Sequence, residues 1–206
     1  MLTKITIRNF KVFEEATIEL GSRVVFIGPN NSGKTSALQA LALWELGVRR
    51  WAEKHKGVLN GTKERVGATI NRNDLIALPV PVANLLWHNR NVRKAKKEDN
   101  GRRQTANVLF DIDVEGITDG TPWRFGLEFD YANEESFYCR ALRLPEDGKQ
   151  RMPLPDAARS IRVAFLPPMS GLAAREDLLN PGSIDKATGP VKYKPASKPP
   201  IVVPRP

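Results

Sequence analysis

Eight consecutive residues near the N-terminus have the types and the spacing of a phosphate-binding loop. The stretch Gly28-Pro29-Asn30-Asn31-Ser32-Gly33-Lys34-Thr35 follows the pattern G-x-x-x-x-G-K-[ST] in full. Glycine at both ends lets successive backbone N–H groups point inward at phosphate oxygens, where a larger residue would obstruct the turn. Lys34 is the catalytic candidate because its charge can act on the β- and γ-phosphates, Thr35 is a ligand for Mg²⁺, and Ser36 lies within reach of the α-phosphate. The pattern predicts a site for ATP and Mg²⁺.

The elements on either side of this loop are those that present it to a ligand. Val24–Ile27 is a short, continuous apolar run, which is typical of a strand buried on both faces. From Lys34 to about Lys54 the sequence predicts a helix, because apolar and helix-favouring residues recur at helical spacing. The positions that fit this spacing are Leu38, Leu41, Ala42, Glu45 and Val48. Since the N-terminus of a helix favours anions through its dipole, the order strand, loop, helix strengthens the prediction.

The rest of the chain predicts mainly β-structure, because apolar and polar residues alternate along several segments. The predicted strands are Leu2–Arg8, Ala16–Leu20, Val108–Glu115, Trp123–Asp130, Phe137–Leu144 and Ile161–Leu166. Gly116–Gly120 supplies turn residues between two of these strands, which predicts a hairpin there. Trp87 ends an apolar stretch and is interpreted as a core residue.

Composition limits the class of protein. The chain has 206 residues, of which 41% are hydrophobic and 27% charged, as in a globular protein. A single cysteine, Cys139, excludes an intrachain disulfide and a cysteine-cluster zinc site, and it is interpreted as a buried, inert thiol. His55 and His88 have no ligand-type residue at metal-binding spacing, so no metal is predicted beyond the Mg²⁺ of the nucleotide. No apolar run is long enough to span a membrane and no signal peptide is evident, which predicts a cytoplasmic protein without a membrane partner.

Positive charge and proline are both unevenly distributed. The formal net charge is +9, and the run 90–103 carries seven basic residues against two acidic ones. Such a run either contacts the phosphate backbone of DNA or is a solvated loop. Residues 181–206 hold seven of the 16 prolines, mixed with lysines, which predicts a disordered Pro/Lys-rich tail after a folded lobe of residues 1–180.

Two motifs together resemble a known family. The opening Ile7-Arg8-Asn9-Phe10-Lys11-Val12-Phe13, followed by Phe26-Ile27 and the phosphate-binding loop 28–35, is similar to the N-terminal lobe of ABC-type ATPase heads. The RecF, structural-maintenance-of-chromosomes and OLD-type (overcoming lysogenization defect) proteins carry this form, and the resemblance covers residues 1–55. It implies an α/β P-loop NTPase fold with an antiparallel β subdomain at about 107–144. It also implies that Arg8 and Lys11 lie near the nucleotide.

The same resemblance implies an activity and partners. Heads of this group bind ATP and Mg²⁺, dimerise with nucleotide between two subunits, and act on DNA in repair or antiphage defence. Some work with a nuclease or another effector. The resemblance therefore implies a homodimer or larger oligomer, DNA contact through residues 90–103, and an effector or nuclease partner.

The sequence departs from the family in the second half of the catalytic site. The family completes its site with a signature loop, an apolar strand that ends in Asp-Glu, and a switch histidine. Val108–Asp113 alternates as a strand with one wet face does, and Ser170-Gly171-Leu172 opens no helical pattern. We therefore expect ATP binding with little turnover by this chain alone. An N-terminal fragment of a longer ATPase is the favoured explanation, and a partner chain that supplies the missing lobe is the other.

Two further classes of protein remain as alternatives at this stage. A small-molecule or nucleotide kinase also has an early phosphate-binding loop, although the lead-in with two strands weighs against it. A basic nucleic-acid-binding module that merely retains the loop is the second. Both alternatives keep a phosphate-binding loop and differ in what the rest of the chain does.

Overall fold

The computed structural model describes residues 1–55, 67–75, 77–97, 103–144, 148 and 150–164. All of these lie in one compact unit, Met1–Met169. The predicted Pro/Lys-rich tail at 181–206 and the segment Ser170–Leu172 lie outside the described residues. The same holds for the last two residues of the predicted strand Ile161–Leu166, while its first four residues form no strand.

A six-stranded antiparallel sheet forms the body of the chain, with its strands in the spatial order β2-β1-β6-β7-β8-β3. These strands are β1 (Leu2–Phe10), β2 (Phe13–Glu19), β3 (Ala68–Asn71), β6 (Phe110–Thr118), β7 (Thr121–Tyr131) and β8 (Ser136–Ala141). Between β3 and β6, the strands β4 (Arg93–Lys97) and β5 (Arg103–Asn107) form a separate two-stranded sheet. The helices are α1 (Lys34–Lys54) and the short α2 (Asp156–Ser160), with 3-10 turns at Arg72–Asp74, Ala83–Leu86 and His88–Arg90.

Helix α1 packs across one face of the sheet and encloses the core between them. The predicted bounds of this helix are confirmed. Its buried stripe differs from the predicted one, because Leu38 is exposed while small residues such as Ala40 and Gly47 face the sheet. An added Cβ at Gly47 would come within 2.6 Å of Leu127 Cδ1. The absence of a side chain at this position therefore allows α1 to lie close to β7. The indole of Trp44, fully buried, donates its Nε1–H to the Phe125 carbonyl at 2.8 Å and fixes helix to strand.

The predicted hairpin is present as β6 and β7. Phe110, Ile112 and Val114 are buried toward α1, and alternation places Asp111 and Asp113 on the opposite face of the sheet. The two strands are joined by Asp119 and Gly120, both at positive φ (51° and 76°), the pair that a tight two-residue hairpin turn requires. β8 (Ser136–Ala141) confirms the predicted strand Phe137–Leu144 as far as Ala141. Trp87 is also confirmed as core, at 1% exposure.

The segment before the loop differs from prediction. Val24–Ile27 forms no strand, and its side chains are largely exposed, Val25 by 80% and Ile27 by 92%. A strand buried on both faces needs a neighbouring strand and a cover on each side. Among the described residues no strand pairs with Val24–Ile27, and β2 forms the edge of the sheet. The prediction of a strand at Val24–Ile27 is therefore wrong. The antiparallel sheet itself packs directly on α1.

Candidate nucleotide-binding site

The loop 28–35 forms a tight, exposed turn that leads straight into α1. Ser32 donates its backbone N–H to the Pro29 carbonyl at 3.3 Å, and Asn31 adopts a positive φ of 67°. An added Cβ at Gly28 would lie 2.9 Å from Ser32 Oγ, so a side chain there would fill the inside of the turn. The turn is thus a backbone cradle that depends on glycine at its entry.

The cradle presents unpaired backbone donors at the start of a long helix. The first intrahelical bond runs from the Ala37 N–H to the Gly33 carbonyl at 2.9 Å. The N–H groups of residues 33–36 have no acceptor among the described residues. The first turn of α1 contains no acidic residue. Free donors, the positive end of a 21-residue helix and the absence of an acidic residue in its first turn are features that favour the binding of an anion.

The ammonium of Lys34 lies over this cradle. Its Nζ donates to the carbonyls of Gly28 and Pro29, both at 2.6 Å, and reaches Ser32 Oγ at 3.4 Å. The charge therefore sits above the turn that the backbone donors surround. Thr35 is exposed and Ser36 is half-buried in the first turn of α1, directly after Lys34. The residues present fit a triphosphate with a Mg²⁺ ion held through Thr35.

The turn between β1 and β2 supports the loop from one side, a contact that the sequence analysis missed. Gly33 is buried at a φ of +92°. An added Cβ there would lie 2.6 Å from Phe13 Cζ and 3.0 Å from Val12 Cγ2. Nothing local in the sequence indicates that the Phe13 ring meets a residue 20 positions later. The loop is thus wedged between this turn and α1.

Lys11 lies in the same β1–β2 turn and contacts α1 one turn beyond the loop. Its Nζ donates to Gln39 Oε1 at 2.6 Å, and burial lowers the pKa of this ammonium from its usual range. The Lys11 backbone is held by the Leu86 carbonyl at 2.9 Å and by His88 Nδ1 at 2.9 Å. His88 therefore fixes the turn through its Nδ1. The assignment of Lys11 to nucleotide contact stays a prediction.

Arg8 lies on a different face. The neighbouring Ile7 is fully buried, and its cross-strand partners Ile112 and then Leu127 lie on the face that α1 covers. Because side chains alternate along a strand, Arg8 lies on the face opposite the helix. Its Nε donates to Glu15 Oε1 at 2.9 Å. Its role in nucleotide binding stays a prediction.

The face of the sheet opposite α1 carries a row of charges across the strands. Arg8, Asp111, Glu128 and Arg140 are successive cross-strand partners. Glu128 pairs with Arg151 at 2.9 Å, whereas Asp111 makes no ion pair or hydrogen bond among the described residues. Burial raises the pKa of Asp111 to about 6, helped by the negative charges of Glu128 and Asp113 and opposed by Arg8. Asp111 is therefore a half-buried carboxyl without a hydrogen-bond or ion-pair partner among the described residues.

We expect Asp111→Asn to stabilise the chain at neutral pH. The folded protein binds the Asp111 proton more tightly than the unfolded chain does, so stability falls as pH rises between 3.8 and about 6. Asparagine carries no charge, so above pH 6.5 the substitution is expected to raise the free energy of unfolding by at most about 3 kcal/mol. Urea unfolding of wild type and variant at pH 4 and pH 7.5 measures it. Asp119→Asn makes the same chemical change in an exposed turn and is the matched control. Equal gains at the two pH values would contradict the assignment to Asp111.

The acids Asp111 and Asp113 of β6 lie on the face of the sheet opposite α1. Asp113 pairs with Arg124 at 2.6 Å on the face opposite α1. This placement agrees with the interpretation of residues 108–113 as an ordinary strand rather than the acidic strand of an ATPase site. In the part of the chain that the structure describes, no three His, Cys, Asp or Glu residues form a metal site. Cys139 is fully buried, and burial raises its pKa to about 12, as expected for an inert thiol.

Comparison with known proteins agrees with this geometry. A family model described as an AAA ATPase domain matches residues 1–103, half of the chain. The matched range contains β1, β2, the phosphate-binding loop and α1. No curated protein matches the chain. Neither described helix combines the length and apolar composition needed to cross a membrane. The resemblance found in the sequence is thus confirmed at the level of an AAA-type ATPase.

Proposed function

The chain belongs to the AAA ATPase domain family, and from that premise we propose that it is the ATP-binding N-terminal lobe of an ATPase head of the RecF, structural-maintenance-of-chromosomes and OLD group. The observation that carries this proposal is the cradle itself. Free backbone donors at the start of α1 and the Lys34 ammonium converge on one exposed turn. The ligand is a triphosphate because this arrangement binds several adjacent phosphate oxygens at once.

The residues of the loop divide the work of holding the nucleotide. The N–H groups of residues 33–36 bind phosphate oxygens, and the Lys34 ammonium leaves its carbonyl partners to neutralise charge on the β- and γ-phosphates. The Thr35 hydroxyl holds Mg²⁺, which when bound neutralises the charge that develops during phosphoryl transfer. Gly33, wedged against Phe13, keeps the donors aimed inward.

Hydrolysis requires groups beyond the described residues. Asp113, the acid of the candidate strand 108–113, pairs with Arg124 on the face of the sheet opposite α1, so it does not orient water or bind the metal at the loop. We propose that a C-terminal lobe and a dimer partner supply them, so this lobe alone binds ATP with little turnover.

The apolar surface beside the loop supports completion by a further lobe. Val24, Val25 and Ile27 are exposed next to the cradle, as is Leu38 on α1. A cleft of about 540 Å³ opens beside them, lined by Leu2, Ile5, Leu20, Phe26 and Leu41 among others. Exposed apolar patches of this kind mark surfaces that another element covers. Strands of a second lobe that pair with Val24–Ile27 would bury this segment on both faces, as its sequence predicts.

The biological context is proposed on the family group. Heads of this type act on DNA in repair or antiphage defence, dimerise through the head, and work with a nuclease or another effector. The net charge of +9 supports a polyanionic partner such as DNA.

ATP titration of the purified chain tests the proposal. A saturating excess of ATP with Mg²⁺ is expected to raise the melting temperature by about 5–10 °C, because ligand at ~100 times its Kd contributes about 2.7 kcal/mol. Omitting Mg²⁺ is expected to reduce the rise. Adenosine, which lacks phosphates, is the matched control and is expected to give none. An unmoved melting temperature at millimolar ATP would refute a competent site.

A further inference from the structure

Strands β4 and β5 form an arm that is separate from the six-stranded sheet. They pair antiparallel from Arg93 opposite Asn107 to Lys97 opposite Arg103, and neither pairs with another strand. Residues 93–95 and 105–107 are exposed. We call this pair of strands the ribbon. Its sequence, RKAKK and RQTAN, offers no large apolar side chain to a core, so packing does not explain its presence.

The root of the ribbon is anchored firmly in the body. The Val108 N–H donates to the Val92 carbonyl at 3.0 Å, just below the first pair of the ribbon. The Asn107 amide donates to Asp130 Oδ1 on β7 at 2.8 Å. The buried indole of Trp87 donates to the Val108 carbonyl at 2.6 Å. An isolated hairpin is marginally stable in water, so these contacts at its base give the ribbon a fixed point of departure.

The charge of the ribbon sets it apart from the rest of the molecule. Its two strands contain five Lys or Arg residues and no Asp or Glu. Arg93 and Lys94 make no ion pair among the described residues, in contrast to many arginines of the body. The arginines with a carboxylate partner are Arg8, Arg49, Arg50, Arg72, Arg124, Arg140 and Arg151. Arg93 and Lys94 are thus left available to an external anion.

The cationic positions lie on both faces of the ribbon. Strand alternation places Arg93 on one face and Lys94 on the other. A membrane surface or an extended single strand offers phosphates to one side of such a ribbon. The grooves of a duplex offer phosphates on two sides. The two-faced charge therefore favours a groove with a phosphate wall on each side.

The size of the ribbon selects the groove. Its strands are about 17 Å long and lie about 4.8 Å apart. The major groove of B-form DNA is about 12 Å wide and about 8.5 Å deep, and it admits a two-stranded ribbon. The major groove of A-form RNA is deep and too narrow for protein side chains to read. We propose that the β4–β5 ribbon enters the major groove of duplex DNA and contacts phosphates on both of its walls. This inference rests on the proposed action on DNA and specifies its form and place.

Fluorescence anisotropy with a labelled duplex of two helical turns, about 21 base pairs, tests the ribbon. The full chain is expected to bind this duplex more tightly than the single strand or an RNA duplex of the same sequence. Arg93→Ala with Lys94→Ala removes one cation from each face and is expected to weaken duplex binding about tenfold. It is also expected to lower the slope of log K against log salt by about 2. Lys4→Ala with Arg72→Ala removes the same two residue types from the body and is the matched control, expected to leave binding unchanged.

The single variants and groove probes separate this mode from others. Arg93→Ala and Lys94→Ala are each expected to reduce the salt slope by about 1, because each face meets a wall of phosphates. Methylation of guanine N7, which lies in the major groove, is expected to weaken binding. The proposal would be overturned if only one of the single variants reduced the salt slope. Equal affinity for single strand and duplex, or binding that N7 methylation does not weaken, would also overturn it.

The ATP-induced rise in melting temperature, measured in the double variant, keeps the two proposals apart. A rise retained while duplex binding is lost is the expected result. If wild-type chain binds no duplex but still responds to ATP, the ribbon proposal fails alone. If it binds duplex but shows no response to ATP, the proposed function fails and the ribbon stands.

Discussion

Lys34→Ala is expected to weaken ATP binding by about 10- to 150-fold, which is what losing one charge-assisted hydrogen bond to a phosphate costs. The ammonium now donates to the carbonyls of Gly28 and Pro29, both at 2.6 Å, so it is positioned above the turn that the phosphates occupy. Alanine favours the helix at the start of α1, so the fold is kept, but the β- and γ-phosphates lose their cation. The rise in melting temperature on adding ATP should therefore shrink or disappear.

The same substitution is expected to leave the stability of the nucleotide-free chain nearly unchanged. The hydrogen bonds of Lys34 lie in an exposed loop, where water replaces them at little cost. Lys4→Ala removes another lysine at an ion pair of the body, with Glu115, and serves as the control with normal ATP binding. Isothermal calorimetry gives the Kd of each variant. Wild-type affinity in Lys34→Ala would mean that ATP binds elsewhere.

Local pattern was sufficient to predict the loop and the helix that follows it. The bounds of α1 were predicted because a phosphate-binding loop fixes its start and helix-favouring residues continue to Lys54. The β6–β7 hairpin follows from the turn residues of Gly116–Gly120 between two alternating segments, although β6 continues to Thr118 and only Asp119 and Gly120 form the turn. In each case residues close in sequence decide the structure.

Features that depend on distant residues were not predictable in the same way. The apolar run Val24–Ile27 has the sequence of a buried strand, but burial depends on neighbours that the described residues do not supply. The contact of Phe13 with Gly33 joins segments 20 residues apart, and the bond from Lys11 to Gln39 joins segments 28 apart. None of these leaves a periodic signal.

The basic run illustrates a different limit. Lysine disfavours strands, and the run 90–103 lacks alternation of apolar and polar residues, so it was interpreted as a solvated loop or a DNA contact without a defined shape. Its strand structure comes from pairing with Arg103–Asn107 and from anchoring at Val92 and Val108. Charge was visible in the sequence, whereas the two-faced arrangement of that charge was not.

Gly33→Ala is expected to damage the site more severely than loss of the lysine, because it acts on both the fold and the ligand. The residue has a φ of +92°, which a side chain adopts only with strain. Its Cβ would also come 2.6 Å from the Phe13 ring, so the β1–β2 turn or the loop must move. Strain and overpacking together are expected to lower the free energy of unfolding by about 2–4 kcal/mol. The backbone donors of residues 33–36 would shift with the loop, and ATP binding would be lost.

Two glycine variants separate the causes of this effect. Gly120→Ala has a similar positive φ, 76°, with nothing within 4 Å of its Cβ, so it reports backbone strain alone and is expected to cost about 1 kcal/mol. Gly21→Ala has neither positive φ nor a close neighbour and is expected to be neutral. The remainder of the Gly33→Ala effect belongs to the contact with Phe13. Phe13→Ala is then expected to lower the free energy of unfolding less in the Gly33→Ala background than in the wild type. In that background the substitution also removes the clash between the ring and the new Cβ. Strictly additive costs in urea unfolding of the four proteins would show that Phe13 does not hold the loop in place.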